Sequence, residues 1–153
     1  MAGDEVAERV AEILERIADG LGVDAEVEVE EDPDGVCAEF VGDDLGLLIG
    51  HHGLTIDAIQ HLTYRIAFKG AESRKRVSVD AAGYRERRAV TLRAAADQAA
   101  EVAVRDGRAV ALDPMSALER KVVHEHLKSR YDVETYSEGQ EPSRHLVIAP
   151  VVD

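Results

Sequence analysis

The sequence predicts an α+β protein of two small units, one ordered α-β-β-α-α-β and the other a small α/β unit. In the first unit, apolar residues that repeat every three or four positions alternate with short runs of period two. A long segment without helix breakers follows. A chain of 153 residues is long enough for two small units, which we place at residues 1–81 and 82–153.

Composition narrows the class of protein. The content of 45% hydrophobic and 32% charged residues is typical of a soluble globular chain. The apolar run at Leu45 to Ile49 is too short to span a membrane, and the N-terminus lacks a signal-peptide pattern. Cys37 is the only cysteine, so no internal disulfide can form. A reducing, cytoplasmic location is therefore expected.

The distribution of charge matters more than its sum. A net charge of −13 disfavours a generic nucleic-acid binder. Residues 1–34 carry 13 acidic and 2 basic side chains, whereas residues 63–93 carry 3 acidic and 9 basic ones. A basic island therefore follows an acidic N-terminal region, although the sequence does not show which surface the island faces.

The first elements are a helix and two strands. Residues 4–20 form an amphipathic helix, since six apolar residues recur at intervals of three and four. Residues 26–30 alternate glutamate with valine, which predicts a half-buried strand with one acidic face. Asp32-Pro33-Asp34-Gly35 is a turn signal, and Val36 to Val41 forms the next strand. A hairpin is expected.

Two helices and a strand complete the first unit. A short helix is predicted from about Asp44 to Ile49, a longer one from Leu54 to Phe68, and a strand from Val77 to Asp80. The positions of the longer helix expected to point inward are Ala58, Ile59, Leu62 and Ile66.

The two helices are joined by Gly50-His51-His52-Gly53. Glycine permits positive φ values and a close approach of another backbone, so this segment predicts a tight turn. The next helix begins with unpaired N–H groups and a partial positive charge, which favour an anion. The loop is therefore a candidate phosphate site.

The second unit begins with a helix from Tyr84 to Arg105, ended by Gly107. Arg108 to Leu112 is a possible short strand. Asp113 and Pro114 are suited to the N-cap and first position of a helix that extends to about Arg130.

The predicted helix at residues 114–130 carries a second candidate site. Arg120 and His124 are one turn apart and can serve a phosphate and a base together. A solvated basic face is the simpler interpretation. At 100° per residue one side of the helix carries Met115, Leu118, Val122 and His126, and the other carries Arg120, Lys121, His124 and Lys128.

These motifs resemble two known domains. Gly50-His51-His52-Gly53 between two helices is similar to the GXXG loop of a type II KH domain, which clamps a single-stranded backbone. The Arg120–His124 pair, followed by residues 132–144 and an apolar strand at 145–149, resembles an R-3-H single-strand-binding domain. The two domains in this order resemble the bacterial Jag family, also called SpoIIIJ-associated or KhpB proteins.

The resemblance implies a cytoplasmic, non-enzymatic RNA-binding protein linked to cell elongation and envelope control. It implies single-stranded RNA, or single-stranded DNA, as ligand, and a small KH-only protein or a second copy as partner. It implies no cofactor. The RNA-binding residues carried over are Gly50, His51, His52 and Gly53 in the loop, and Arg120 and His124 in the second unit.

Arg144 is a further candidate, since it follows the turn at Gly139 to Pro142 and is placed to reach the same face. Core packing or a surface ion pair would explain it equally well. Many KH loops carry Lys or Arg between the glycines, whereas His51 and His52 lie here. Because imidazole changes charge near neutral pH, RNA affinity is expected to be modest and sensitive to pH.

The expected mechanism is bipartite, with the backbone held at the loop, bases in an apolar groove beside the second strand, and more RNA at the second unit. One alternative is an adaptor that pairs with another KH protein and binds little RNA. A metal-dependent hydrolase is the other alternative. His124 and His126 differ by about 200° around the helix, so they do not form one metal site, and none is predicted.

Overall fold

The computed structural model describes residues 2–152 and divides the chain into two units, Met1–Arg85 and Glu86–Asp153. Met1 and Asp153, the outer limits of the two predicted domains, lie outside the described residues. The predicted domain boundary between residues 81 and 82 stays a prediction.

The first unit has the predicted order of elements. Its helix α1 begins before the predicted residue 4, and its short helix α2 has a single turn. The bounds are α1 at Ala2–Gly20, β1 at Glu26–Asp32, β2 at Gly35–Val41, α2 at Gly46–Ile49, α3 at Leu54–Ala67 and β3 at Arg76–Ala81.

The sheet of the first unit has β2 at its centre. Strand β1 pairs with β2 in antiparallel register, with Val29 opposite Ala38, and β3 pairs with β2 in parallel. One face of the sheet packs in the core with residues of α1 and α3. Alternation along β2 buries Phe40 in this core and leaves Cys37 exposed on the opposite face.

The predicted hairpin turn is stabilised by its first residue. Asp32 Oδ1 accepts hydrogen bonds from the backbone N–H groups of Asp34, at 2.8 Å, and Gly35, at 2.9 Å. A Cβ at Gly35 would overlap the carbonyl oxygen of Arg76 on β3. The turn therefore needs aspartate for its hydrogen bonds and glycine for the close approach of β3.

The predicted buried face of α3 is wrong at three of its four positions, since Ala58, Leu62 and Ile66 are exposed. A polar residue belongs to the true buried face, because the Thr63 hydroxyl donates to the carbonyl oxygen of Ile59 at 2.7 Å and is thereby satisfied inside the core. The buried positions are Ile56, Ile59, Thr63 and Ala67.

The second unit has the long helix, the short strand and the closing hairpin that the sequence predicts. Its three strands form one sheet in the order β4-β6-β5, and both strand pairs are antiparallel. The bounds are α4 at Tyr84–Asp106, β4 at Val110–Ala111, α5 at Ala117–Leu127, β5 at Val133–Glu138 and β6 at His145–Pro150.

Helix α5 begins three residues later than predicted. The N-cap is Ser116 rather than Asp113, and its side chain accepts a hydrogen bond from the backbone N–H of Glu119 at 3.2 Å. The Ser-x-x-Glu spacing is that of a capping box, a signal that the aspartate and proline upstream obscured.

The end of α5 leads to an ion pair at the start of β5. Arg130 donates from Nε and Nη2 to the two carboxylate oxygens of Asp132, at 2.8 and 2.7 Å. These hydrogen bonds lower the pKa of the Asp132 carboxyl below its ordinary value.

Candidate nucleic-acid interface

The glycine loop has a backbone that most residues cannot adopt. Gly50 lies at φ 72° and ψ −174°, and Gly53 at φ 78° and ψ 11°. His52 is also left-handed, at φ 52°. Asn, Asp and His tolerate this last conformation better than most residues, while the Gly50 conformation is almost confined to glycine. The tight turn predicted from the sequence is present.

Both glycines also lie against other side chains. A Cβ at Gly50 would overlap the Thr55 hydroxyl and come within 2.7 Å of the Thr55 Cβ. A Cβ at Gly53 would lie 2.7 Å from Cε1 of Tyr84. The loop therefore excludes larger residues at these positions by backbone conformation and by contact.

The two histidines are the exposed part of the loop. The rings of His51 and His52 are stacked, with 3.8 Å between centroids and 27° between planes. Gly53 is the N-cap of α3 and has no side chain of its own to cap that helix end. The loop therefore presents two imidazoles and a helix N-terminus, groups that can bind a phosphate.

One side of the loop is polar. Arg85 Nη1 donates to Asp57 Oδ1 at 2.6 Å, and Arg85 Nη2 donates to Gln60 Oε1 at 3.2 Å. Gln60 Oε1 also accepts from the Val79 N–H, and the Val79 carbonyl oxygen accepts from Arg85 Nε. These contacts link the first turns of α3 to β3.

The base groove predicted beside β2 stays a prediction. Strand β2 is paired on both edges, and β3 is an edge strand of the sheet. Gln60 and Arg85 bind the backbone of Val79 on β3. Exposed apolar side chains adjoin the loop at Leu47 on α2 and Leu54 on α3.

The basic island divides within the first unit. Arg85 lies one turn of α3 from the loop, through its contact with Asp57. The segment 74–76 lies at the start of β3, whereas Tyr84, three residues after the end of that strand, lies against Gly53 of the loop. In this segment, Cζ of Arg74 lies 5.9 Å from the centroid of the Tyr64 ring, and Nζ of Lys75 lies 3.6 Å from Oε1 of Glu31.

In the second unit, predicted site residues converge on one cavity of about 300 Å³. Helix α5 contributes Arg120 and His124, and the turn before β6 contributes Arg144. The residues lining this cavity, which we call the R-3-H cavity, are Ala117, Arg120, Lys121, His124, Tyr136, Ser137, Arg144 and Leu146.

Arg120 does not lie on a solvated face as the helical projection predicts. Its side chain is only 9% exposed, and the buried residues of α5 are Arg120, Val123 and Leu127. Nη1 donates to the Met115 carbonyl oxygen at 2.6 Å, and Nη2 donates to Glu141 Oε1 at 2.8 Å. Leu118, projected onto the opposite side of the helix from Arg120, is 64% exposed.

His124 and Arg144 line the cavity, and hydrogen bonds fix both side chains. Nδ1 of His124 is hydrogen-bonded to the Thr135 hydroxyl on β5. Arg144 Nη1 donates to the Gly139 carbonyl oxygen at 2.7 Å, and the Arg144 carbonyl accepts from the Met115 N–H. Arg144 thus reaches the same cavity as Arg120 and His124.

The sequence prediction omitted Tyr136 and Ser137 from the site. Tyr136 on β5 is 49% exposed, and its ring can stack on a base. The signal for these residues was their position in the strand that pairs with β6. Ser137 lies opposite Leu146, and cross-strand neighbours of Leu146 lie close to Arg144.

The described part of the chain holds no cluster of three or more His, Cys, Asp or Glu side chains that could bind a metal ion. Within residues 2–152, no helix is both long and apolar enough to cross a membrane.

Comparison with known proteins identifies both units. Residues 7–81 match the KH domain of KhpA and KhpB, and residues 90–150 match the R-3-H domain. The RNA-binding protein KhpB of Clostridium symbiosum is 36% identical over 148 residues, which cover 95% of this chain and 67% of that protein. The chain belongs to the KhpB family. The predicted resemblance and the α+β fold with KH and R-3-H domains are thereby confirmed.

Two other KhpB proteins have similar identity. The protein of Lactiplantibacillus plantarum is 38% identical over 149 residues, covering 97% of this chain and 46% of that protein. The protein of Bacillus subtilis is 33% identical over 138 residues, covering 89% of this chain and 66% of that protein. The chain thus spans from under half to about two thirds of these KhpB relatives. The individual site residues stay predictions.

Proposed function

We propose that this chain binds single-stranded RNA through both of its units and catalyses no reaction. The observation that carries the proposal is the R-3-H cavity, where Lys121, His124, Tyr136 and Arg144 combine phosphate-binding groups with an aromatic ring. Such a combination suits a single strand, whose bases are free to stack while its phosphates pair with cations. The relatives named RNA-binding proteins support RNA as the ligand.

In the first unit, the RNA backbone binds at Gly50, His51, His52 and Gly53. The glycine N-cap of α3 and the exposed imidazoles support this assignment. Leu47, 67% exposed, and Leu54, 60% exposed, offer apolar surface to the adjoining bases.

In the second unit, Lys121 and Arg144 pair with phosphates and Tyr136 stacks on a base. His124 donates a hydrogen bond to the RNA. Arg120 shapes this cavity from its buried position, and its Nη2 is a further donor for a backbone phosphate. The cavity is small enough to hold only a short piece of the strand.

Two weak binding modules on one chain raise the overall affinity for RNA, since the second contact becomes intramolecular. If about four phosphates are neutralised, a slope of ~0.7 per phosphate predicts a loss in affinity of roughly fifty-fold between about 50 and 200 mM salt. We propose in addition a cytoplasmic role in post-transcriptional control linked to cell elongation and the envelope, as the sequence resemblance implies. Single-stranded DNA is the expected competitor.

A second candidate function is pairing with another KH unit, in a second copy of this chain or a small KH-only protein. The observation that favours it is an exposed apolar stripe along α3, where every fourth residue is apolar. Such a row can pack against the matching row of another helix. The stripe consists of Leu54, Ala58, Leu62 and Ile66.

Binding of labelled single-stranded RNA and a duplex control to the whole chain tests the proposal, at low and moderate salt. We expect preference for the single strand and the stated salt dependence. Absence of RNA binding at low salt would contradict it. A molar mass that rises with protein concentration, and falls to the monomer in Leu62→Asp, would then favour the pairing function.

A further inference from the structure

The guanidinium of Arg120 already holds an anion. Its Nη2 donates to Glu141 Oε1 at 2.8 Å, while its Nη1 is bound to the Met115 carbonyl oxygen. Glu141 lies in the loop between β5 and β6, and its side chain is 59% exposed. A carboxylate therefore occupies the position from which a phosphate oxygen would accept the same hydrogen bond.

The two partners differ in how easily they can separate. Glu141 is mostly in water, so its carboxylate loses little solvation free energy when it leaves. Arg120 is 9% exposed, and a buried guanidinium left without an anion is costly. Departure of Glu141 is therefore favourable only when another anion takes its place.

The surroundings favour such an exchange. Lys121, His124 and Arg144 line the same cavity as Arg120, whereas Glu141 does not line it, so a phosphate that approaches Arg120 from the cavity passes several cationic or proton-donating groups. Glu141, in contrast, has one hydrogen bond to the guanidinium. A phosphate can accept from Arg120 and from its neighbours together, which a carboxylate fixed to the loop does not match.

We propose that Glu141 is an internal competitor for RNA, whose carboxylate holds Arg120 until a backbone phosphate replaces it. This inference rests on the proposed RNA-binding function. Each phosphate bound at Arg120 displaces one carboxylate, so the exchange leaves the charge around the guanidinium nearly unchanged. Glu141 thereby weakens RNA binding and lowers its salt dependence, and it keeps the buried charge paired in the free protein.

The test compares the whole chain with Glu141→Gln, using a labelled single-stranded RNA at several salt concentrations. We expect affinity to rise about three- to tenfold at 0.1 M salt, and the salt slope to steepen by about 0.7. The unfolding midpoint should fall by about 2–4 °C, because the amide pairs less well with Arg120. Opposite changes in stability and RNA affinity distinguish a competitor from a residue that positions the cavity.

Glu138→Gln is the matched control. Glu138 is 63% exposed on the same hairpin, and its ion-pair partner is His145 at 3.7 Å. We expect less than a twofold gain there, since this carboxylate is not on Arg120. An equal gain in both variants, or unchanged or weaker binding by Glu141→Gln beside a wild type that binds, would overturn the inference alone. RNA binding by none of the three proteins would overturn the proposed function as well.

Discussion

The glycine loop and the R-3-H cavity, the two proposed binding sites, are built in different ways. The loop is local: residues 50–53 follow one another, and their conformation is set by two glycines and by contacts with Thr55 and Tyr84. The cavity takes residues from α5, β5 and the turn before β6, and ion pairs and hydrogen bonds fix their side chains.

This difference decides which changes each site tolerates. In the loop the backbone is constrained, and the exposed side chains are those of His51 and His52. In the cavity, Arg120 is the least exposed of the cationic side chains, so replacing it also changes the stability of the fold. Substitutions of the two loop histidines should therefore separate stability from RNA binding more cleanly than substitution of Arg120.

The largest effect is expected for Gly50→Ala. The alanine Cβ would overlap the Thr55 hydroxyl, and the backbone would have to leave a conformation almost confined to glycine. We expect a loss of about 3 kcal/mol in the free energy of unfolding, measured with urea, and RNA affinity reduced at least about tenfold.

Gly46→Ala is the control for that change. Gly46 is the first residue of α2, and a Cβ there would have its nearest neighbour at 3.8 Å. We expect the free energy of unfolding to stay within about 0.5 kcal/mol of the wild type or to rise. Equal destabilisation by both alanines would contradict a loop defined by the Gly50 conformation.

A smaller loss of stability is expected for Arg120→Met in the cavity. Methionine keeps an apolar stem but removes the donor to the Met115 carbonyl and the partner of Glu141. We expect unfolding to become easier by about 1–3 kcal/mol.

Lys121→Met, one residue away and exposed, provides the comparison. Its free energy of unfolding should change by less than about 0.5 kcal/mol, while the salt slope of RNA binding falls by about 0.7. If Lys121→Met destabilised the protein as much as Arg120→Met, the buried arginine would have no special structural role.

The smallest effect on stability is expected when His51 and His52 are both replaced by Asp. Asp tolerates the left-handed conformation at position 52, so the loop should keep its shape and unfolding should change by less than about 0.5 kcal/mol. The two carboxylates would repel phosphate, and RNA affinity should fall about tenfold.

Replacing both histidines by Asn separates repulsion from loss of the imidazoles, since Asn has the same backbone tolerance without charge. Intermediate affinity is expected. Unchanged RNA affinity in the Asp variant would remove the glycine loop from the binding site.

The same contrast explains what could be predicted from the sequence. The glycine turn, the hairpin at Asp32 and the order of elements depend on neighbours in the chain, and periodicity and turn residues indicate them. The convergence of Tyr136 and Arg144 with α5 depends on the pairing of β5 with β6, which sequence spacing does not fix.

The helix faces show a second limit. Counting apolar residues placed Leu62 on the inward face of α3 and Leu118 on the apolar side of α5, whereas both are exposed and Thr63 and Arg120 are buried. A polar side chain enters a core when its hydrogen-bonding groups find partners there, as Thr63 does at the Ile59 carbonyl. Such partners come from the fold, so the binary pattern alone misplaced both faces.

The contact between Gly53 and Tyr84 determines where the first unit can be cut from the chain. Tyr84 and Arg85 follow the last strand of that unit, yet one lies against the loop and the other binds Asp57 beside it. A fragment that stops at Ala81 would keep every strand and helix of the KH fold. It would lose the Tyr84 and Arg85 side chains that lie beside its glycine loop. Excision after Arg85 would retain both side chains.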